Sequence, residues 1–472
     1  MVRPAFLTRP VPAAAPWILA GAALLLFLLW VWLPARPSLV ARVPGADRPA
    51  GTEVGGGESE NVFARGKLVT GPGRPANLAG FWPQFRGPGM DGIARDPAPM
   101  ARAWPGGKPR ELWRVEVGEG FAGPAVEGGR VFLMDYDRAA SRDAVRCLSL
   151  ADGAEIWRYS YPVAVKRNHG LTRTVPAVAR GRVVSMGPKC HVTVLGSDTG
   201  EFRWGIDLVK DHGTTVPPWY TGQCPLVDGE LVILAPGGPE ALLMAVDLEN
   251  GGVRWRTPNA HDWKMTHSSV AVLELGGRRY YLYCASGGVV AVDAASGAPA
   301  WETATWKINI ATVPTPVNLG DGKVFFTGGY NAGSALFQFR LQDGKLTGEE
   351  IFRVKATVFG ATQHSPIWHG GHLYGIRADG RFVCLGADGK VVWASPPGPN
   401  FGLGPLLAAG DAIFALNDRG RLTLLEASPA GYQPVAEADV LDGHECWAPM
   451  ALAGDRLLVR DLTRMLCLQV GP

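Results

Sequence analysis

The 472-residue sequence predicts an all-β fold, an eight-bladed β-propeller preceded by an N-terminal transmembrane helix. Two periodic markers predict the propeller. A Gly is followed four residues later by a large apolar residue at Gly153/Trp157, Gly200/Trp204, Gly251/Trp255, Gly297/Trp301, Gly348/Phe352, Gly389/Trp393 and Gly431/Val435, every 41 to 51 residues. A Pro or Ser opens a short apolar run at Pro124, Pro176, Pro225, Ser269, Pro316, Pro366, Pro405 and Pro449. A period of this length, made of short strands and turns, is that of a radial array of four-stranded blades. The helix is predicted by residues 17–33, WILAGAALLLFLLWVWL, which carry no charge.

Residues 223–258 show what one blade contains. Three strand-like runs, CPLVD, ELVILAP and ALLMAVDL, are separated by Asp-Gly and Gly-Gly turns, and VRWRT follows Asn250-Gly251 as a fourth strand. Val, Ile and Leu dominate, and no run has the length of an ordinary helix. Gly at the last turn permits the positive φ of a tight hairpin. The large residue after it is expected to pack between neighbouring blades. The structural repeat residues are thus Trp157, Trp204, Trp255, Trp301, Phe352 and Trp393, with Val435 a degenerate copy. The eight inner-strand markers outnumber the seven Gly markers because the last copy, APMALAGDRLLVRDLTRMLCLQV, ends after three strands. The missing outer strand is expected from residues 111–117, ELWRVEV, which makes Trp113 the eighth aromatic and closes the ring. A closed ring leaves no long edge for intermolecular pairing.

Outside the ring the sequence reads as a short leader, 1–16; a membrane anchor, 17–33; a Pro/Gly-rich linker, 34–80; and the propeller, 81–472. A helix over 17–33 just spans a thin hydrocarbon core, with Trp17, Trp30 and Trp32 near its ends as interfacial residues. A cleaved signal peptide is the alternative; no clear small-residue cleavage site follows. A short leader before one anchor places the propeller on the extracytoplasmic, periplasmic side. Residues 36–80 contain 14 Gly or Pro and read as a tether. A net charge of +3 and the lack of basic runs with interleaved aromatics exclude nucleic acid as an expected partner. The seven Cys form no CxxC or CxxCH, which gives no support to a haem or structural zinc site. Cys147, Cys384 and Cys467 occupy the third strand of a blade, where Ala245 and Ala291 stand in other copies, so they read as small buried residues.

The AVDxxxGxxxW form of the repeat resembles the Trp-docking repeat of the quinoprotein propellers, which include the pyrroloquinoline-quinone (PQQ) alcohol dehydrogenases and the lipoprotein propeller of the outer-membrane barrel-assembly machine. WPQFRGPGMDG, residues 82–92, resembles the opening motif of a large set of bacterial PQQ-binding-like propellers. So do WYTGQCPLVDGELVILAPGG (219–238), WKMTHSS (263–269) and FFTGGYNAGS (325–334). The resemblance implies the fold over 81–472 and leaves activity open. Trp82, Phe85, Arg86 and Pro88 of the opening motif also read as a strap across the propeller.

In propellers, ligands gather at the central channel, on the face where the innermost strands begin. The residues just before each Pro/Ser marker are expected to line that mouth: Arg173, Tyr220, Gln223, His267, Gln363, His364, Glu445 and Trp447. Convergent polar and aromatic groups in a concave site are the default binding site. Plainer roles stand beside this one. His267 and His364 can bond strand carbonyls, Arg173 and Glu445 can form an ion pair, Trp447 can plug the channel, and Trp219 and Tyr220 can be core. The PQQ dehydrogenases use a vicinal Cys pair, a Ca²⁺ held by carboxylate and amide oxygens and an Asp base. This sequence has no Cys-Cys pair and no acidic cluster suited to Ca²⁺. The expected function is therefore a binding or scaffold module for an envelope protein or small ligand, with no metal and no certain cofactor. A PQQ-dependent dehydrogenase with a divergent site is the alternative.

Overall fold

The computed structural model describes residues 15–32 and 61–472, Asp96 excepted. Residues 1–14 of the expected leader and 34–60 of the expected linker lie outside the described residues. The chain divides into two units, Met1–Thr52 and Glu53–Pro472. In the first, a helix runs over Ala15–Trp32 with no charged residue. At 1.5 Å per residue it is about 27 Å long, short of the roughly 30 Å of a bilayer core. Among the described residues no helix is long and apolar enough to cross a membrane. The anchor expected at 17–33 coincides with this helix over residues 17–32, and the length of the helix does not support a transmembrane span.

The second unit is the propeller. Among the described residues eight sheets form, each built on four antiparallel strands; in seven these four are consecutive in sequence, and two of the eight carry a fifth strand. Blades 1 to 7 occupy 125–162, 177–207, 226–257, 271–303, 317–354, 367–394 and 406–439. Blade 8 takes three strands from 451–469 and its outer strand, Arg110–Glu116, from the start of the ring. That strand pairs antiparallel with Arg464–Gln469, Arg110 opposite Gln469 and Trp113 opposite Cys467. The ring is closed by the two ends of its own sequence.

The pairing register explains the repeat. A small residue of the third strand lies opposite the indole in four blades, where Cys147 faces Trp157, Ala245 faces Trp255, Ala291 faces Trp301 and Cys384 faces Trp393; in blade 2 Val194 takes this place opposite Trp204. A β-bulge follows immediately, between Cys147 and Leu148 and at the equivalent places in blades 3, 4 and 6. Each Trp reaches across to the next blade. Indole N–H groups of Trp113, Trp157, Trp204, Trp255 and Trp393 donate to the carbonyls of Leu150, Ser197, Leu248, Ala294 and Ser428, at 2.9–3.2 Å. The repeat Gly therefore does more than shape a turn. A Cβ on Gly200 would lie 2.6 Å from the ring of Trp157, and one on Gly348 would lie 2.8 Å from that of Trp301. The Gly of one blade is the seat for the aromatic of the blade before it.

Two segments differ from expectation. Residues 61–80, counted with the linker on composition, join the folded unit. Val62–Arg65 forms a 3₁₀ turn and Lys67–Thr70 adds a fifth strand to the outer edge of blade 1. Phe63 stacks on Phe202 of blade 2 with ring centroids 5.6 Å apart, so the segment clasps two blades. Glycine here marks close approach: a Cβ on Gly71 would sit 2.0 Å from the carbonyl oxygen of Glu155. The second is a five-residue helix, Leu208–His212, capped by the Asp207 carboxylate.

Candidate functional site

The inner strands begin one or two residues after each marker, and their starts surround the channel mouth. A chain of hydrogen bonds runs between blades at this level. Val175 N–H donates to Cys224 Sγ (3.2 Å), Cys224 N–H to Ser269 Oγ (3.0 Å), Ser269 N–H to Thr315 Oγ1 (3.2 Å) and Thr315 N–H to Ser365 Oγ (2.8 Å). Ser269 is thus the equivalent of Cys224, Thr315 and Ser365, the residues preceding the prolines, and Val270 takes the proline's place. The inner-strand marker of this blade is therefore Val270, one residue after Ser269.

Below this girdle the opening motif crosses the channel. Trp82 pairs with Val126 of blade 1, and Val178 N–H of blade 2 donates to Pro83 O (2.7 Å). Ile93–Ala94 runs parallel to the inner strand of blade 7. Between these anchors the Arg86 guanidinium donates to four carbonyls, those of Met90, Asp91, Ser365 and Pro366, at 2.8–3.1 Å. Burial lowers the Arg86 pKa to about 10, against the opposing field of Asp91. Phe85, next to this anchor, turns its ring to the mouth and forms the floor of the site.

Above the floor lies a cavity of about 340 Å³. Phe121 and Arg173 form one wall. Their loops are joined by the Gly120–Thr172 bridge, and the Arg173 guanidinium carbon lies 5.6 Å from the Phe121 ring centre. The guanidinium donates to Asn168 O (3.0 Å) and His169 O (2.5 Å), with a longer approach to Gly170 O (3.5 Å). Burial lowers its pKa to about 10, with Tyr220 acting in the opposite direction. Trp447 leans on Phe121 at 5.1 Å, its indole N–H fixed by Asp418 Oδ1 (2.6 Å).

On the far side His267 sits in a notch left by Gly222, where a Cβ would approach its Nδ1 to 2.9 Å. Its ring lies 6.3 Å from that of Trp219. Burial, with Arg173 nearby, lowers the His267 pKa to about 4. His364 faces the Trp447 carbonyl through Nε2 (3.0 Å). A carbonyl only accepts, so Nε2 carries the hydrogen. Burial lowers the His364 pKa to about 4, against the raising effect of that bond. Both imidazoles are neutral at pH 7.

Of the eight residues expected at the mouth, Arg173, His267, Gln363, His364 and Trp447 line the cavity together. Three do not. Gln223 is fully buried and pairs through its amide with both N–H and C=O of Ala235, completing a strand edge. Tyr220, with φ 68°, points its hydroxyl to Lys166 O (2.7 Å) and holds the loop that carries Arg173. Glu445, with φ 57°, turns toward His444, and among the described residues it forms no pair with Arg173. Phe85, Phe121, His169, Trp219, Tyr330 and Cys224 line the cavity without having been selected. Phe121 and Cys224 satisfy the same positional rule, lying just before Pro124 and Pro225.

A family described as outer membrane protein assembly factor BamB matches residues 141–395, just over half of the chain. The chain belongs to this family. Among solved structures, BamB from Moraxella catarrhalis is 15% identical, covers 76% of this chain and 100% of its own, and superposes with a TM-score of 0.54. A europium-containing methanol dehydrogenase is 12% identical over 80% of this chain and 89% of its own, with a TM-score of 0.59. The computationally designed Ika8 protein is 11% identical over 76% and 99%, with a TM-score of 0.53. At these identities the likeness is one of fold. No curated protein matches the chain.

A calcium-held quinone does not fit this cavity. No Asp or Glu lines it, and Cys224 is its single cysteine. Among the described residues no group of three or more His, Cys, Asp or Glu is placed to hold a metal ion. Calcium takes six to eight oxygen ligands, mostly carboxylates and carbonyls. The polar lining here is one guanidinium, three imidazoles, the Gln363 amide, the Tyr330 hydroxyl and the Cys224 thiol, with no carboxylate.

Proposed function

We propose that this BamB-family chain is a binding propeller, a scaffold module that holds an envelope partner or a small ligand at its channel mouth. The observation that carries this reading is the blind cup: a concave site of aromatic and cationic groups with the strap beneath it and no acid to serve as base or metal ligand. Membership of the BamB family supports a protein-binding role. An extracytoplasmic place at the membrane accords with the charge-free helix and its exposed leucines, Leu24, Leu25 and Leu26.

The test is photo-crosslinking in cells with a reactive residue at Tyr330, a 46% exposed rim aromatic, and a control at Ile351 on the outer strand of blade 5. One defined product from Tyr330 alone supports the reading. Equal labelling at both positions removes the case for a mouth-directed partner. Dye reduction by the full chain with added PQQ and Ca²⁺ would overturn the binding-only reading. Release of the chain from membranes by carbonate or high salt would overturn the anchor.

A further inference from the structure

We propose that the cup binds a small flat monoanion, an aromatic carboxylate, its charge met by Arg173 and its ring held among Phe121, Trp219 and Trp447. This rests on the binding role of the same site and names the ligand class. Among the described residues no carboxylate pairs with Arg173, and no acid lines the cup, so the site holds one uncompensated cation. Its Nη2 is taken by loop carbonyls, and Nη1, 3.5 Å from its acceptor, is left to donate one charge-assisted hydrogen bond to a carboxylate oxygen.

His267 lines the same cavity, with its Nδ1 sealed against Gly222. Its lowered pKa leaves it neutral, which limits the fixed positive charge of the lining to Arg173. The cup thus balances one negative charge; a tricarboxylate would leave two unmatched in a site walled by apolar groups. The aromatic faces favour a flat ring over a saturated one. About 340 Å³ suits a two-ring acid, at the small end of ligand pockets.

The experiment titrates the full chain with 2-naphthoate, following tryptophan fluorescence and heat, beside 2-naphthamide, decahydro-2-naphthoate and PQQ. Saturable binding of 2-naphthoate is expected. The uncharged amide should bind at least about tenfold more weakly, the factor a charge-assisted bond of some 1.5 kcal/mol supplies. Arg173→Met should lose a similar factor and Arg173→Lys less. Because Arg173 also ties down its loop, the comparison of acid with amide on the unaltered protein decides the matter if the variants misfold. Equal affinity for acid and amide, tighter binding of PQQ or of the saturated acid, or no saturation by 2-naphthoate would overturn the proposal. If 2-naphthoate fails while Tyr330 still captures a defined partner, the ligand class is wrong and the scaffold role stands.

Discussion

Substituting Gly348 by Ala isolates the role of the repeat glycine. At Gly251 and Gly297 φ is 73° and 72°, so any side chain is strained by the backbone as well as by the neighbouring indole. Gly348 does not adopt a positive φ, and its backbone accepts alanine. What an alanine meets there is the docked aromatic layer: its Cβ would lie 2.8 Å from Trp301 Cε2 and 2.8 Å from Phe339 Cε1. Both rings are wedged, with centroids 4.8 Å apart and nearly perpendicular, so neither can yield freely. Overpacking of this kind costs about 1–3 kcal/mol. For a domain of roughly 400 residues the unfolding entropy is near 0.8 kcal/mol per kelvin, so the melting temperature should fall by about 1–4 °C. Calorimetry on Gly348→Ala, Trp301→Leu and the double variant tests the cause. The Ala penalty should shrink in the Trp301→Leu background, because the smaller side chain vacates the space. An unchanged penalty there, or none in the single variant, would refute the docking explanation and return the glycine to a turn role.

Three further outcomes are expected. Arg86→Met leaves four carbonyls without their donor and should destabilise the propeller by about 3 kcal/mol or more, read as a lowered urea midpoint. His267 has a folded pKa near 4 against 6.5 for the free side chain, so the unfolded chain takes up a proton first as pH falls. Its stabilising contribution is therefore complete above pH 6.5 and lost toward pH 4, roughly 3 kcal/mol in all; His267→Gln should flatten this part of a stability–pH profile. Asp143 is fully buried, and burial raises its pKa to about 7 despite the opposing effects of His191 and Tyr161. Its contribution is present below pH 3.8 and lost as pH rises through 7, so Asp143→Asn should gain roughly 2–4 kcal/mol at pH 8 and little at pH 3.5, checked by unfolding at both.

What the sequence conveyed well was what repeats. The Gly-to-aromatic spacing and the inner-strand markers recur often enough to count, and the mismatch between them located the closing strand at Trp113. Part of the mouth was legible for the same reason: Arg173, His267, His364 and Trp447 lie two or three residues before the inner-strand marker in different blades. Single events were not legible. Phe63 alone anchors a segment whose glycines resemble a tether, and Phe85 reaches the cup only because Arg86 pins the strap across the axis. Tyr220 and Glu445 take left-handed backbone conformations that redirect their side chains, and nothing in the local residue pattern announces that. The girdle had a signal that went unread, a thiol or hydroxyl just before the inner strand in four consecutive blades: Cys224, Ser269, Thr315 and Ser365.

The closing strand sets an order of events in biosynthesis. Trp113 leaves the ribosome about 350 residues ahead of Cys467, its partner across the seam. At ordinary elongation rates this is roughly 20–70 s during which Arg110–Glu116 has no sheet to join. Its sequence suits the wait: Arg110, Glu111, Arg114 and Glu116 put charges of both signs along the strand around one buried Trp, which discourages pairing with another nascent chain. Completion of the ring thus waits for synthesis of the eighth blade, and a ribosome that stalls within that blade would release a chain with an open seam.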